Sequence, residues 1–478
     1  MTNLIPEKKG SSVMPNIDPI IHIDKQLCTG CRRCASVCPV DAITGEAGTP
    51  QSIDAHRCVI CGQCIQACTA YAAESEPSLA SRAEKLRQRG QVSSVREPLF
   101  AAYSTGHGLE LKEALADPKR HKVVQCAPVI RVSLAEEFGL PFGTLTPGKM
   151  AAALRRLNFD RVYDTNFGAD VTIMEEGSEL IGRVMSGERL PMFTSCCPAW
   201  VKHAETTAPQ LLEHLSSCKS PMQMIGALVK TYSAEVDGVD PADILSVAVM
   251  PCTCKKFEAG REEMNVDGHQ EVDLVITTRE LAQLIKDKGI DFINLPDEPF
   301  DSPLGKYSGA GTIFGATGGV MEAAIRTGYE LMTHESIPNL QLDFIRGDEG
   351  IRTAAVQIGD LELKVAMVAG LKYVSSILEQ VAEGTCPYHF IEVMACPEGC
   401  VSGGGQPKLL LETQRKSAYQ ARKSSIYRHD ANQKVRKSHE NPAIIKLYKD
   451  FLGEPLGHAS HHLLHTKFIS RSAKEELS

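Results

Sequence analysis

Residues 28–39, "CTGCRRCASVCP", and 58–69, "CVICGQCIQACT", place Cys28, Cys31, Cys34, Cys38 and Cys58, Cys61, Cys64, Cys68 at one repeated spacing, C-x2-C-x2-C-x3-C. Eight thiols confined between residues 28 and 68 constrain this stretch more than any apolar pattern could. Zinc ribbons use paired C-x2-C knuckles and have no need of a triple run. Disulfide frameworks belong to short secreted chains, whereas this chain has 478 residues and seventeen clustered cysteines. Its first residues, "MTNLIPEKKGSSVMPNIDPI", contain no continuous apolar run and no twin arginine, so no export signal is read there. The expectation is a cytoplasmic chain whose thiolates bind metal.

Three closely spaced thiolates wrap three corners of an iron–sulfur cube, and the fourth, after a longer step, reaches the neighbouring cluster. Cys28, Cys31, Cys34 and Cys68 are therefore expected on one 4Fe-4S cluster, and Cys58, Cys61, Cys64 and Cys38 on a second. Residues 20–80 read as an α+β bacterial-type ferredoxin domain behind an N-terminal extension, 1–19. Such a module moves electrons and makes no bonds, so the remaining chain must hold their source or sink. "ESEPSLASRAEKLRQRGQ" reads as a polar helix and "EPLFAAYSTGHG" as the lead-in to a new domain, giving a linker over 81–119.

Beyond residue 120, short apolar runs alternate with amphipathic helical stretches, the pattern of an α/β domain. Several runs end in cysteine: "KVVQC", "PMFTS" before Cys196-Cys197, "ILSVAVMP" before Cys252, and "HFIEVMA" before Cys396. Ligand sites of α/β folds gather at the carboxyl ends of strands, so a shared metal site is expected there. Cys197, Cys252, Cys396 and Cys400 would supply four thiolates, but spacing does not select them over Cys126, Cys196, Cys218, Cys254 or Cys386. Cys196-Cys197 could be two ligands, one ligand with a reactive companion, or a vicinal disulfide. The triple glycine 403–405 would let backbone approach a bulky inorganic group. Net charge is −8, which argues against nucleic acid as main partner. Apolar runs such as "VAMVAG" (365–370) are too short to span a bilayer.

"TSCCPAW" (194–200), "MPCTCKKFE" (250–258) and "EVMACPEGCVSGGGQP" (392–407) resemble the three signature motifs of the iron-only (FeFe) hydrogenases. "DTNFGADVTIMEEGSEL", "LSSCKSP", "GAGTIFGATGGVMEAAIRT" and "RKSHENPAIIKLYKDFLGEPLGHASHHLLHT" agree with the same family, so the likeness runs from about residue 20 to 468. The resemblance implies reversible reduction of protons to H2 at an H-cluster, a 4Fe-4S cube joined to a two-iron unit carrying CO, cyanide and azadithiolate. It implies a two-lobed α/β H-cluster domain over 120–410 and a helical C-terminal belt over 411–478.

By the same resemblance Cys197, Cys252, Cys396 and Cys400 hold the cube, Cys400 bridges to the two-iron unit, and Cys196 is the reactive companion that passes a proton. Glu176 and Glu179, three apart and so on one helix face, would form the proton path with Ser216 and Arg183. Lys255 would donate to cyanide, and Met250, Phe314 and Met394 would exclude water beside Pro128. "HHLLH" (461–465) would belong to the wrapping belt and not to a metal site, and Cys126, Cys218 and Cys386 would be structural. Implied partners are H2 and protons, a ferredoxin or another redox subunit, and maturation proteins.

Four positions depart from the family pattern: Cys254, Val129, Met222 and Glu398. Cys254 is expected either as a buried small residue or as a second thiol near the distal iron, and Glu398 as a carboxylate between two cube ligands. The rival class is a non-catalytic or hydrogen-sensing relative. An iron–sulfur assembly protein of this lineage would lack Cys196 and Lys255, and a sensor would carry a signalling domain. Both residues are present.

Overall fold

The computed structural model describes residues 19–72, 77–88, 99–348 and 350–472. The expected N-terminal extension lies outside these residues except for Pro19. The duplicated cysteine pattern is also a duplicated conformation. Asp24 accepts from the Gln26 and Leu27 N–H groups, and Asp54 from those of His56 and Arg57. Each turn delivers the chain to its first cysteine, with Cys28 N bonded to Asp24 O and Cys58 N to Asp54 O, both at 2.9 Å. Arg32 and Gly62 then take left-handed conformations, φ 58° and 73°, ahead of the short helices Arg33–Ser36 and Gln63–Ala67. That reversal folds three cysteines of each run around one centre.

Ile43–Thr44 pairs with Ser52–Ile53. Ile21–Ile23 pairs antiparallel with Ala102–Ser104, a strand inside the stretch expected to lead away from the module. The "FAAYS" segment instead returns and closes it. Ile21 and Ala102 are buried there, and apolar side chains gain more by covering the module than by standing in solvent. Of the expected polar helix, Pro77–Gln88 is helical.

The large domain has two four-stranded sheets. One runs Leu274–Thr277, Ile244–Met250, His121–Cys126, Arg161–Asp164, all parallel. The other runs Gly350–Ile358, Leu361–Ala369, Phe390–Met394, Met192–Phe193, antiparallel only in its first pair. Ile244–Met250 is buried at every residue, as a central parallel strand covered on both faces must be. Gly350–Ile358 alternates, as an edge strand with one wet face does.

Helix Thr165–Ser186 begins where Asp164 accepts the Asn166 N–H at 3.0 Å. It packs on helices Pro221–Leu228 and Gly319–Thr333. Between Pro128 and Gly139, where "PVIRVSLAEEFG" reads as one helix, the chain forms two 3-10 turns, Ile130–Val132 and Leu134–Phe138. Arg131 Nε takes the Pro128 carbonyl at 2.9 Å and Ser133 Oγ takes that of Val129 at 2.9 Å. Side chains thereby replace the i to i+4 ladder.

The C-terminal segment forms helices Glu412–Ala431, Pro442–Leu447 and His458–Leu464. Buried Asp170 pins it, accepting from Ser438 Oγ at 2.8 Å and Asn441 Nδ2 at 3.0 Å. Among the described residues no helix is long and apolar enough to cross a membrane.

Candidate active site

The strand ends of both sheets open on one cavity, with ≈ 830 Å³ free of protein atoms including its mouth. Strand His121–Cys126 delivers Ala127, Pro128 and Val129 to its wall; Ile244–Met250 delivers Met250, Pro251 and Cys252. Met192–Phe193 leads to Cys196 and Cys197, and Phe390–Met394 to Met394, Cys396 and Cys400. Phe314 and Met222 also line the wall, and Lys255 is its one charged amine.

Cys197, Cys252 and Cys400 all bear electrostatically on Cys396; four neighbouring thiols in an apolar cavity fit a 4Fe-4S cube, and Lys255 suits an anionic group beside it. Burial pushes the Cys252 and Cys400 thiols up to about 12, with Cys197 adding to both. Thiols so raised become thiolates by binding metal, which replaces the proton. All seventeen cysteines are unbridged, so Cys196-Cys197 is not a vicinal disulfide.

Lys255 Nζ donates to the Cys196 carbonyl at 3.2 Å and to Glu258 Oε2 at 2.7 Å. Ser220 Oγ donates to the same carboxylate oxygen at 3.1 Å. Glu258 was not singled out from the sequence, although its i+3 position from Lys255 marks it as a partner. Glu392 was also missed: from strand Phe390–Met394 it accepts the Gly318 and Met321 N–H groups at 2.7 and 2.8 Å, and burial raises it to about 7.

Glu176, Glu179, Ser216 and Arg183 are brought together. Arg183 Nη2 donates to Glu179 Oε1 at 2.7 Å and Ser216 Oγ to Glu179 Oε2 at 2.8 Å. Glu176 is buried, and neither of its carboxylate oxygens has a hydrogen-bond partner among the described residues. Burial, then the Glu179 charge, pushes its carboxyl up to about 8; Ser216 and the Ser195 N–H lie near enough to temper that rise without closing a bond of ordinary geometry. The Cys196 thiol is raised by burial and next by Glu176.

The ferredoxin module docks directly on this wall. Cys61 itself lines the cavity. Thr253 Oγ1 donates to Ile60 O at 2.6 Å, Gln63 Nε2 to Ser402 O at 3.0 Å, and Gln66 Nε2 to Gln406 O at 2.9 Å. A Cβ on Gly404 would stand 2.6 Å from Cys61 O and from Gly62 Cα. The triple glycine expected to face an inorganic group thus mainly serves close backbone contact, although Gly403 does reach the cavity.

In the outer half of the module, burial raises the Cys34 thiol to about 11, with Cys28, Cys68 and Cys31 adding to it. In the inner half, Cys58 and Cys38 bear on Cys61 in the same way.

Of the four departures, two lie away from the cavity. Cys254 is fully buried and does not line the cavity, the buried small residue of the two alternatives expected. Glu398, at φ 63°, turns away to pair with Lys423 Nζ at 3.0 Å. Val129 and Met222 do line the cavity. A Cβ on Gly315 would collide with Val129 Cγ1, so the larger Val129 is matched by glycine opposite.

A ferredoxin-type module abutting a cavity lined by strand-end thiols defines an iron–sulfur oxidoreductase. The sequence model for the iron only hydrogenase large subunit, C-terminal domain, matches residues 120–404; those for the iron hydrogenase small subunit and a 4Fe-4S binding domain match 416–471 and 21–44. The chain is 42% identical over 475 residues to the NADP-reducing hydrogenase subunit HndD of Solidesulfovibrio fructosivorans, covering 95% of this chain and 76% of that one. It is 44% identical over 399 residues to the periplasmic [Fe] hydrogenase large subunit of Nitratidesulfovibrio vulgaris, covering 82% and 88%. The apo FeFe hydrogenase HydA1 of Chlamydomonas reinhardtii superposes with a TM-score of 0.69 at 42% identity, over 77% of this chain and 100% of that one. The chain belongs to the iron-only (FeFe) hydrogenases. It is an oxidoreductase that interconverts H2 with protons and electrons.

Proposed function

We propose that the chain works with two 4Fe-4S clusters and an H-cluster, held by the cysteines assigned above, and exchanges electrons with a ferredoxin or another redox subunit in the cytoplasm. When bound, the H-cluster supplies the H2-activating redox chemistry. The protein's own part is positioning, water exclusion and proton handling. Cys197, Cys252, Cys396 and Cys400 would hold the cube. Lys255, fixed by Glu258, points an ammonium suited to an anionic ligand. Met250, Phe314 and Met394 keep the cavity dry beside Pro128.

Protons would pass Arg183 and Glu179 at the outer end, then Ser216, Glu176 and the Cys196 thiol. Electrons would enter at the outer cluster, where Cys31 is exposed, and leave from the inner one. The observation that carries this reading is Cys61: one residue belongs both to the second ferredoxin motif and to the cavity wall. The NADP-linked relative supports a redox subunit as partner. Installation of the two-iron unit would fall to maturation proteins.

Infrared spectra of anaerobic protein loaded with the two-iron unit test it. CO and cyanide stretches that shift under H2 are expected. If a hydrogenase loaded alongside gains those bands and this chain does not, the cavity does not take an H-cluster.

A further inference from the structure

The acidic chain ends, on its solvent side, in a constellation that hydrogen turnover does not require. Glu179, Cys218 and His465 bring a carboxylate oxygen, a sulfur and an imidazole nitrogen within 4.8 Å of one another. Cys218 Sγ lies 3.9 Å from Glu179 Oε2 and 4.0 Å from His465 Nδ1. Around tetrahedral zinc, with bonds of about 2.3 Å to sulfur and about 2.0–2.2 Å to nitrogen or oxygen, such pairs stand roughly 3.6 Å apart. Side-chain adjustment closes that difference.

Second, the imidazole is already oriented as a ligand. His465 Nε2 is bonded to Glu175 Oε2 at 3.0 Å, and Glu175 is buried and held by the Tyr448 hydroxyl at 2.5 Å and Leu456 N at 2.8 Å. A carboxylate on the far nitrogen is the usual support of a metal-bound histidine. Backbone pairing fixes the two strands: Cys218 and His465 form a β-bridge, flanked by Lys219 N to Leu464 O and Thr466 N to Ser217 O, both 2.8 Å.

Third, the charge is right. After burial, Glu179, Glu176 and Glu175 are what oppose a negative charge on Cys218, and the same field attracts a dication. Of the nearby cations, Arg183 takes Glu179 Oε1 and Lys219 is engaged by Glu271. Ser216 Oγ and Ser217 N on Glu179 Oε2, and Ser217 Oγ on His465 Nδ1, are contacts an ion would displace. Exposed His461, stacked on His465 at 4.8 Å between ring centres, marks the solvent side.

We propose that Glu179, Cys218 and His465 form a binding site for a zinc-class divalent cation, and that its occupation withdraws Glu179 from proton conduction. The first half stands on geometry alone; the second rests on the proton path given under the proposed function. Binding releases the Cys218 proton to solvent, so affinity rises with pH. The belt histidine His465, and Cys218, expected to be structural, thereby gain a role.

The test is zinc-edge X-ray absorption of the cluster-loaded protein with one equivalent of Zn2+, with iron content followed throughout, beside H2 evolution at each zinc concentration. One sulfur with nitrogen and oxygen neighbours is expected, the sulfur vanishing in Cys218→Ala. Glu175→Gln should weaken zinc binding by about 10–100-fold. H2 evolution should fall as the site fills, relative to each variant's own zinc-free rate. A shell without sulfur, a shell of four sulfurs, or a Cys218→Ala protein that binds zinc unchanged overturns the site. A one-sulfur shell with undiminished turnover leaves the site standing and overturns its effect, along with conduction through Glu179. The other His/carboxylate cluster, Glu330, His439 and Glu440, has no sulfur, so the shell tells the two apart.

Discussion

Glu176 and Glu179 stand three residues apart on helix Thr165–Ser186 and are held in opposite ways. Glu179 is bonded by Arg183, Ser216 and the Ser217 N–H, whereas both oxygens of Glu176 are without a partner among the described residues. The bonded carboxylate is anchored. The unbonded one, raised to about 8 by burial and the Glu179 charge, holds a proton near neutrality and can give it up.

Hydrogen evolution should therefore fall as pH rises through about 8, where folded Glu176 loses its proton. Its carboxyl titrates near 4.5 when unfolded, so between these values only the folded chain keeps the proton. The corresponding stability is complete below 4.5 and is lost as pH rises through about 8. Glu176→Gln should lower turnover by about 10²-fold or more with infrared bands unchanged. Wild-type turnover in that variant would remove Glu176 from the path.

Cys196 lines the cavity beside Cys197 and is not among the four thiols proposed to hold the cube. Cys196→Ala should keep the iron content and the CO and cyanide bands while losing turnover by about 10²–10⁴-fold. Loss of the bands would instead make Cys196 a ligand.

Gly404 lets the H-cluster domain touch the ferredoxin module, since a Cβ there would press on Cys61 O and Gly62 Cα. Gly404→Ala should cost about 1–3 kcal/mol through overpacking and slow reduction of the cavity cluster by the module. Thermal unfolding and freeze-quench electron paramagnetic resonance would read the two effects. Unchanged electron transfer would show that this contact is only structural.

Asp170 accepts from Ser308 N, Ser308 Oγ, Ser438 Oγ and Asn441 Nδ2 at 2.5–3.0 Å. Asp170→Asn replaces one accepting oxygen with a donor and should cost about 3 kcal/mol. Limited proteolysis should then cut first within the segment beyond Ala431. Cleavage no faster than in the wild type would mean the belt is held elsewhere, as at Asp430 with Arg326.

Much of the chemistry was legible in the residues in order. Three of the four ligands expected for each ferredoxin cluster lie within a few residues of each other, so the runs Cys28 to Cys38 and Cys58 to Cys68 declare their purpose by spacing. Strand-end cysteines were legible too, because an apolar run followed by cysteine and a helix is a local pattern. Spacing could not select four of them. Cys197, Cys252, Cys396 and Cys400, with Cys196 and Cys61, line one cavity only because two separate sheets aim their carboxyl ends at it and the ferredoxin module docks there.

Local pattern misled where distant groups intervened. The strand Ala102–Ser104 has the composition of a lead-in, and only its partner Ile21–Ile23 makes it part of the module. Cys254 stands two residues from Cys252 yet is buried off the cavity, at the start of helix Cys254–Ala259. Cys218 and His465, 247 residues apart, meet only through the belt's return. Sequence by itself determined which ligands and carriers the chain has, since covalent spacing is preserved in any fold. Which of them meet, and which are dry, was decided by sheet order and helix packing, because burial and long-range contact are properties of the folded surface and not of the chain.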